Sequence, residues 1–107
     1  MLPNGLLASG SGDATIKLWN TEDGSVIKSL SGHFGSVCAL AVLKNGFLAS
    51  GSLDNTVRVW STEDGSLIKT IAGHSDWVLA LAVLQNGDLA STGVDKTIKI
   101  WYMNYVV

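Results

Sequence analysis

Apolar and polar positions along this chain alternate in short runs, each closed by a turn signal. From Ser36 to Leu43 nearly every position is apolar, which predicts a strand buried on both faces. Lys44-Asn45-Gly46 reads as a hairpin turn, because Asn-Gly accepts positive φ at both central positions. Phe47 to Ser52 is a second strand of small and apolar residues, Leu53-Asp54-Asn55 turns the chain, and Thr56 to Trp60 is a third strand. In that strand Val57 and Val59 point one way, and Thr56, Arg58 and Trp60 the other. Glu63-Asp64-Gly65 makes the next hairpin, and Leu67 to Ala72 is a fourth strand whose Lys69 suits an outer, exposed position. A helix competes for the Val-Leu-Ala-Leu-Ala-Val-Leu type of run. Each such run spans only about seven or eight residues between Gly turns, so the strand is preferred.

This unit recurs. Asp13, Asp54 and Asp95 stand about 41 residues apart, and so do Trp19, Trp60 and Trp101. Residues 1–41 align with 42–82 without a gap and agree at roughly 24 positions, while 83–101 continue the series. Thr21–Ser25 returns unchanged as Thr62–Ser66. The pattern predicts four-stranded antiparallel modules, about ten strands in all.

The pairs Gly32-His33 and Gly73-His74, the turn aspartates and the strand-ending tryptophans together resemble the WD-repeat β-propeller family. The resemblance covers about 2.6 repeats, essentially the whole chain. One departure is plain: Trp19-Asn20, Trp60-Ser61 and Trp101-Tyr102 stand where Trp-Asp is usual. The resemblance implies an all-β fold of β-propeller blades, each of four antiparallel strands. Here they form an incomplete open arc of about 2.5 blades, with blade pieces 1–31, 32–72 and 73–107 of one partial propeller spanning 1–107.

It also implies a hydrogen-bonded tetrad in each blade, made of His33, Ser50, Asp54 and Trp60 in the middle one and His74, Ser91, Asp95 and Trp101 in the next. The first blade keeps Ser9, Asp13 and Trp19, while its His would precede Met1. Comparison of copies selects the Ser: four residues before Asp it is always Ser, whereas two before it the series runs Ser11, Ser52, Gly93. Buried indole, imidazole and carboxylate groups need one another, since an unpaired buried polar group costs roughly 1–3 kcal/mol.

The pattern begins in the second strand of one blade and stops in the third strand of another, so the chain does not close a ring of about four to eight blades alone. Tyr105-Val106-Val107 is a candidate stub of a fourth strand. The expectation is a fragment of a longer propeller, its apolar ends covered by the remaining blades in cis. Self-association is the alternative, and there the strand phase is unfavourable.

Composition narrows the chemistry. With 47% hydrophobic residues, 15% charged and a mean hydropathy of +0.31, the chain is suited to a packed interior and not to disorder. A net charge of −2 gives no field for phosphate backbones, so no nucleic acid is expected. No apolar run approaches the ~20 residues of a membrane span, and the opening Met-Leu-Pro-Asn-Gly lacks the basic start of a signal peptide. Neither membrane nor secretion is expected. The single Cys38 excludes an internal disulfide and suits a cytoplasmic setting, with the nucleus also open. Lying in an apolar strand without basic neighbours, it reads as an inert core thiol.

No metal, cofactor or catalytic residue is expected. His33 and His74 lie a full repeat apart without ligand spacing. The carboxylates recur with the repeat, and neither a Gly-x-Ser-x-Gly elbow nor a phosphate loop is present. Differences between copies are more telling. By the family resemblance, binding residues lie on the blades' top. There Phe34-Gly35-Ser36 becomes Ser75-Asp76-Trp77, and the residue before the turn Asp runs Gly12, Leu53, Val94. These positions form the candidate partner-binding face, with Trp77 as anchor; packing of Trp77 on a neighbouring blade is the other reading. The expected function is a non-catalytic protein–protein interaction scaffold for a protein or peptide partner. The alternatives are a regulatory or targeting module of a larger enzyme-containing chain, or a self-associating structural piece.

Overall fold

A computed structural model describes residues 2, 5–43 and 46–101. Of the expected turn Lys44-Asn45-Gly46, the first two residues lie outside this set, as does the Tyr105–Val107 stub. Among the described residues ten strands are present: β1 (Leu7–Gly10), β2 (Ile16–Trp19), β3 (Val26–Leu30), β4 (Val37–Val42), β5 (Leu48–Ser52), β6 (Val57–Trp60), β7 (Leu67–Ile71), β8 (Val78–Val83), β9 (Leu89–Gly93) and β10 (Ile98–Trp101). They form three antiparallel sheets in the orders β1-β2-β3, β4-β5-β6-β7 and β8-β9-β10. The fold is all-β, an open propeller-like arc with no closed barrel.

Side-chain alternation explains how the sheets stack. On β6, Val57 and Val59 enter one apolar cluster with Val78 and Leu89 of the third sheet. The opposite face carries Trp60 into a second cluster with Ile16 and Leu18 of the first sheet. All residues of β5 and β6 are therefore buried, because these two strands are paired on both edges within a sheet covered on both sides. Close approach of neighbouring blades requires small residues on the second strand. A Cβ added at Gly51 would lie 2.7 Å from Val78 Cγ1, and one at Gly10 would lie 2.7 Å from the Val37 carbonyl oxygen. Lys69 lies on the exposed outer strand β7.

Two expectations are corrected. The Ser36–Leu43 run is not buried on both faces, and Cys38 is exposed, not a core thiol. The reason is a β-bulge: Val37 pairs with Ser52 and Ala39 with Gly51, leaving Cys38 as the extra residue without a cross-strand partner. Leu79 occupies the same bulge position on β8 and is 46% exposed.

Candidate functional site

Each turn between the second and third strands of a blade is held by its aspartate. Asn55 N–H donates to the Ser52 carbonyl at 3.2 Å, with Asn55 itself at φ 74°. The equivalent Ala14 and Lys96 are also left-handed, at φ 74° and 64°. Within this turn the Asp54 carboxylate is met from several sides. Thr56 donates its hydroxyl to Oδ1 at 2.6 Å and its N–H at 2.9 Å. Phe34 N–H donates to Oδ2 at 3.0 Å.

Oδ2 also lies 2.7 Å from His33 Nδ1, and His33 Nε2 lies 2.6 Å from Ser50 Oγ, which accepts the Trp60 indole N–H at 2.8 Å. Donor arithmetic fixes the directions. Against an ionised carboxylate Nδ1 must carry the proton, so Nε2 accepts the Ser50 hydroxyl, whose oxygen is then free for the indole. The line runs Trp60 → Ser50 → His33 → Asp54 with every proton used once. Gly32 precedes this histidine because a Cβ there would stand 3.1 Å from the Trp60 ring and 3.1 Å from Arg58 Nη1, at a φ of 155° that side chains avoid.

The third blade repeats the arrangement. His74 lies 2.7 Å from Asp95 and 2.7 Å from Ser91, and Trp101 donates to Ser91 at 2.7 Å. In the first blade Trp19 donates to Ser9 at 2.8 Å, but Asp13 is exposed and, among the described residues, is hydrogen-bonded to Ser11 and Thr15. The structure thus brings the sequence-derived residues together in two complete lines and one pair.

Electrostatics follow burial. Desolvation holds the His33 imidazole below its ordinary value, outweighing the attraction of Asp54. For Asp54 burial pushes upward, yet hydrogen bonds from Thr56, Phe34 and His33 together hold the carboxyl far below the usual range. Asp95 is held equally low, chiefly by the Thr97 hydroxyl and, against some desolvation, by His74. Thr15 and Ser11 lower Asp13 to about 2.

Thr15, Thr56 and Thr97 were not singled out from the sequence. The signal was present: Asp-x-Thr stands in all three copies, and each hydroxyl donates to its Asp at 2.6 to 2.7 Å.

Ser50, His33 and Asp54 have the atom order of a hydrolytic triad. Ser50 is 0% exposed and its oxygen already holds the indole proton, so this hydroxyl is a buried link and has no access to a substrate. Both nitrogens of each histidine ring are likewise engaged. Among the described residues no group of three or more His, Cys, Asp or Glu side chains is placed to hold a metal ion. No helix among them is long and apolar enough to cross a membrane.

The same carboxylates orient the loop face. Asp54 clamps the backbone of Phe34 and Asp95 that of Ser75, the latter at 3.1 Å. Leu53 N–H bonds the Ser36 carbonyl, Val94 N–H bonds the Trp77 carbonyl, and the Ser36 hydroxyl reaches the Gly12 carbonyl at 3.3 Å in the next blade. Asp76 caps the Trp77 N–H at 2.8 Å. On this pinned backbone Phe34 is 88% exposed, Trp77 47% and Val94 42%. Phe34 lies over the buried Arg58 guanidinium, 5.7 Å from its ring centre.

Three stacked antiparallel sheets, one of four strands and two of three among the described residues, with the full line of bonds in the second and third, define a β-propeller blade array. The WD domain, G-beta repeat pattern matches residues 2–20, 24–61 and 65–102, and the chain belongs to that family. The WD40 β-propeller domain of Doa1 superposes with a TM-score of 0.89 at 31% identity, over 95% of this chain and 34% of that one. Nuclear distribution protein nudF 2 of Penicillium rubens is 52% identical over 33 residues, and nuclear distribution protein PAC1 of Coprinopsis cinerea 54% identical over 35. The chain covers 7% and 8% of those two relatives. It therefore corresponds to part of a WD40 propeller.

Proposed function

We propose that this chain is a non-catalytic interaction scaffold whose loop face binds a protein or peptide. WD40 domains generally mediate protein interactions, and the observation that supports the role here is Phe34. It holds 88% of its surface in solvent on a backbone fixed by Asp54. A large apolar side chain held open on a rigid loop loses little entropy when a partner covers it. Trp77, Val94 and the half-buried Leu53 extend the apolar surface, while Gly12, Ser36, Ser75 and Asp76 form the polar and small frame around it. A cytoplasmic or nuclear setting belongs to the same proposal, supported by a single unpaired cysteine.

The test is selection of ligands from a displayed peptide library, followed by titration against Phe34→Ala and Trp77→Ala. Each variant is expected to weaken binding about tenfold or more with its melting temperature unchanged. Unaltered affinity in both would reject the loop face. A second reading, a regulatory module within a longer chain, is favoured by the 34% coverage of the Doa1 propeller.

A further inference from the structure

We propose that Arg58 and Phe34 together form an acceptor site for a carboxylate, the aspartate or glutamate side chain of a partner bound on the loop face. The proposal rests on the loop-face reading for the direction from which that partner arrives. A guanidinium taken largely out of water ordinarily pairs with a carboxylate. Arg58 is 9% exposed, and among the described residues no carboxylate pairs with it. Its Nε donates to Thr56 Oγ1 at 3.4 Å, and neither Nη group meets an acceptor among these residues. The carboxylate nearest in sequence, Asp54, is already taken by Thr56, Phe34 and His33. No side-chain N or O among the described residues is both enclosed and unpartnered. The two Nη groups therefore keep contact with solvent, and an anion can reach them.

The central blade departs from its copies at both residues. The register of Arg58 holds Lys17 and Lys99 in the other blades, and that of Phe34 holds Ser75 in the next. Lys17 lies 3.4 Å from the Ser29 hydroxyl on an exposed surface. Arg58 instead lies over the Phe34 ring, 5.7 Å from its centre. An aromatic ring against the flat face of a guanidinium leaves the planar edge available, and the paired Nη donors on that edge match the two oxygens of a carboxylate.

The surroundings limit what fits. Backbone closes one side, since a Cβ added at Gly32 would stand 3.1 Å from Nη1. Thr70 lies directly across from Arg58 on β7, is exposed, and offers a hydroxyl on the same face of the sheet. Charge sets the ligand class. His33 beside this site is held below its ordinary value and is neutral at pH 7, so Arg58 supplies the positive charge alone. One cation balances one negative charge, which selects a carboxylate over a phosphate dianion.

Arg58 is the single arginine of the chain, so its Nε–H signal in an isotope-labelled sample is assigned without ambiguity. The experiment titrates in the capped dipeptide acetyl-Leu-Glu-amide and its uncharged isostere acetyl-Leu-Gln-amide, and reads that signal together with the Phe34 amide. The glutamate peptide is expected to shift both and to bind about tenfold or more tighter than the glutamine one. Arg58→Lys installs the residue that both other blades carry in this register. It is expected to keep the melting temperature and, read at the Phe34 amide, to cut the preference to about threefold or less. Equal binding of the two peptides, an undiminished preference in Arg58→Lys, no shift at tens of millimolar peptide, or tighter binding of inorganic phosphate would each overturn the proposal. The loop-face reading fails separately: a library-selected ligand that Phe34→Ala weakens and Arg58→Lys leaves unchanged rejects the carboxylate site alone.

Discussion

Replacing serine by alanine at three equivalent positions isolates the line of hydrogen bonds from everything else in the blade. Ser50→Ala removes one oxygen, creates no sizeable cavity, and leaves two groups without partners: the Trp60 indole N–H and His33 Nε2. Both are buried, Trp60 being 1% and His33 6% exposed. At roughly 1–3 kcal/mol for each orphaned group, the cost is about 2–6 kcal/mol. That is a large share of a typical domain stability of about 5–15 kcal/mol. Ser91→Ala orphans the same pair of groups, but Trp101 is only partly buried and water reaches it, so the loss falls toward the lower end of that range. Ser9→Ala breaks a single bond to the half-buried Trp19 and costs about 0.5–1.5 kcal/mol. Urea unfolding followed by tryptophan fluorescence and circular dichroism measures all three. Equal losses at the three sites, or a neutral Ser50→Ala, would show that the buried line does not hold the blade.

Trp60→Ala removes the same donor and the largest core side chain, and is expected to lose about 3–5 kcal/mol, with the sheet signal of the central blade lost at room temperature. Gly51→Ala is expected to destabilise by about 1–3 kcal/mol, because its Cβ would stand 2.7 Å from Val78 Cγ1; Gly12→Ala, whose nearest neighbour is 3.8 Å away, is the tolerated control in the same assay. Stability is expected to fall on acidification in two stages. The His33 imidazole is held below its ordinary 6.5, so the unfolded chain takes up that proton first and stability drops as pH falls through about 6.5. Asp54 and Asp95 are held below 3.8, and their contribution, full above that value, is lost as pH falls further. Urea midpoints measured from pH 8 to pH 3 check both stages, and a midpoint independent of pH across pH 6.5 in the parent chain would contradict the first.

The strands were legible because a half-buried sheet imposes a period of two and each module is copied, so Asp54 and Trp60 could be read against their counterparts. The chain of bonds in the second and third blades came through the family resemblance, not from spacing alone. Cys38 was misread because an apolar run carries no mark of the residue that bulges out of register. The threonine at the third position of each turn was missed for a related reason. Its β-branched side chain already suits a strand, and that explanation hid its hydroxyl bond to aspartate. Contact between Phe34 and Arg58 joins a residue without a copy to a strand position remote in sequence, and no periodicity reveals such a pair.

The most direct test is the protonation pattern of the His33 ring, read from imidazole nitrogen shifts in a labelled sample near neutral pH. The expected result is a proton on Nδ1, facing Asp54, and a bare Nε2 that accepts from Ser50. A proton on Nε2, or a ring averaging freely between the two forms, would contradict it.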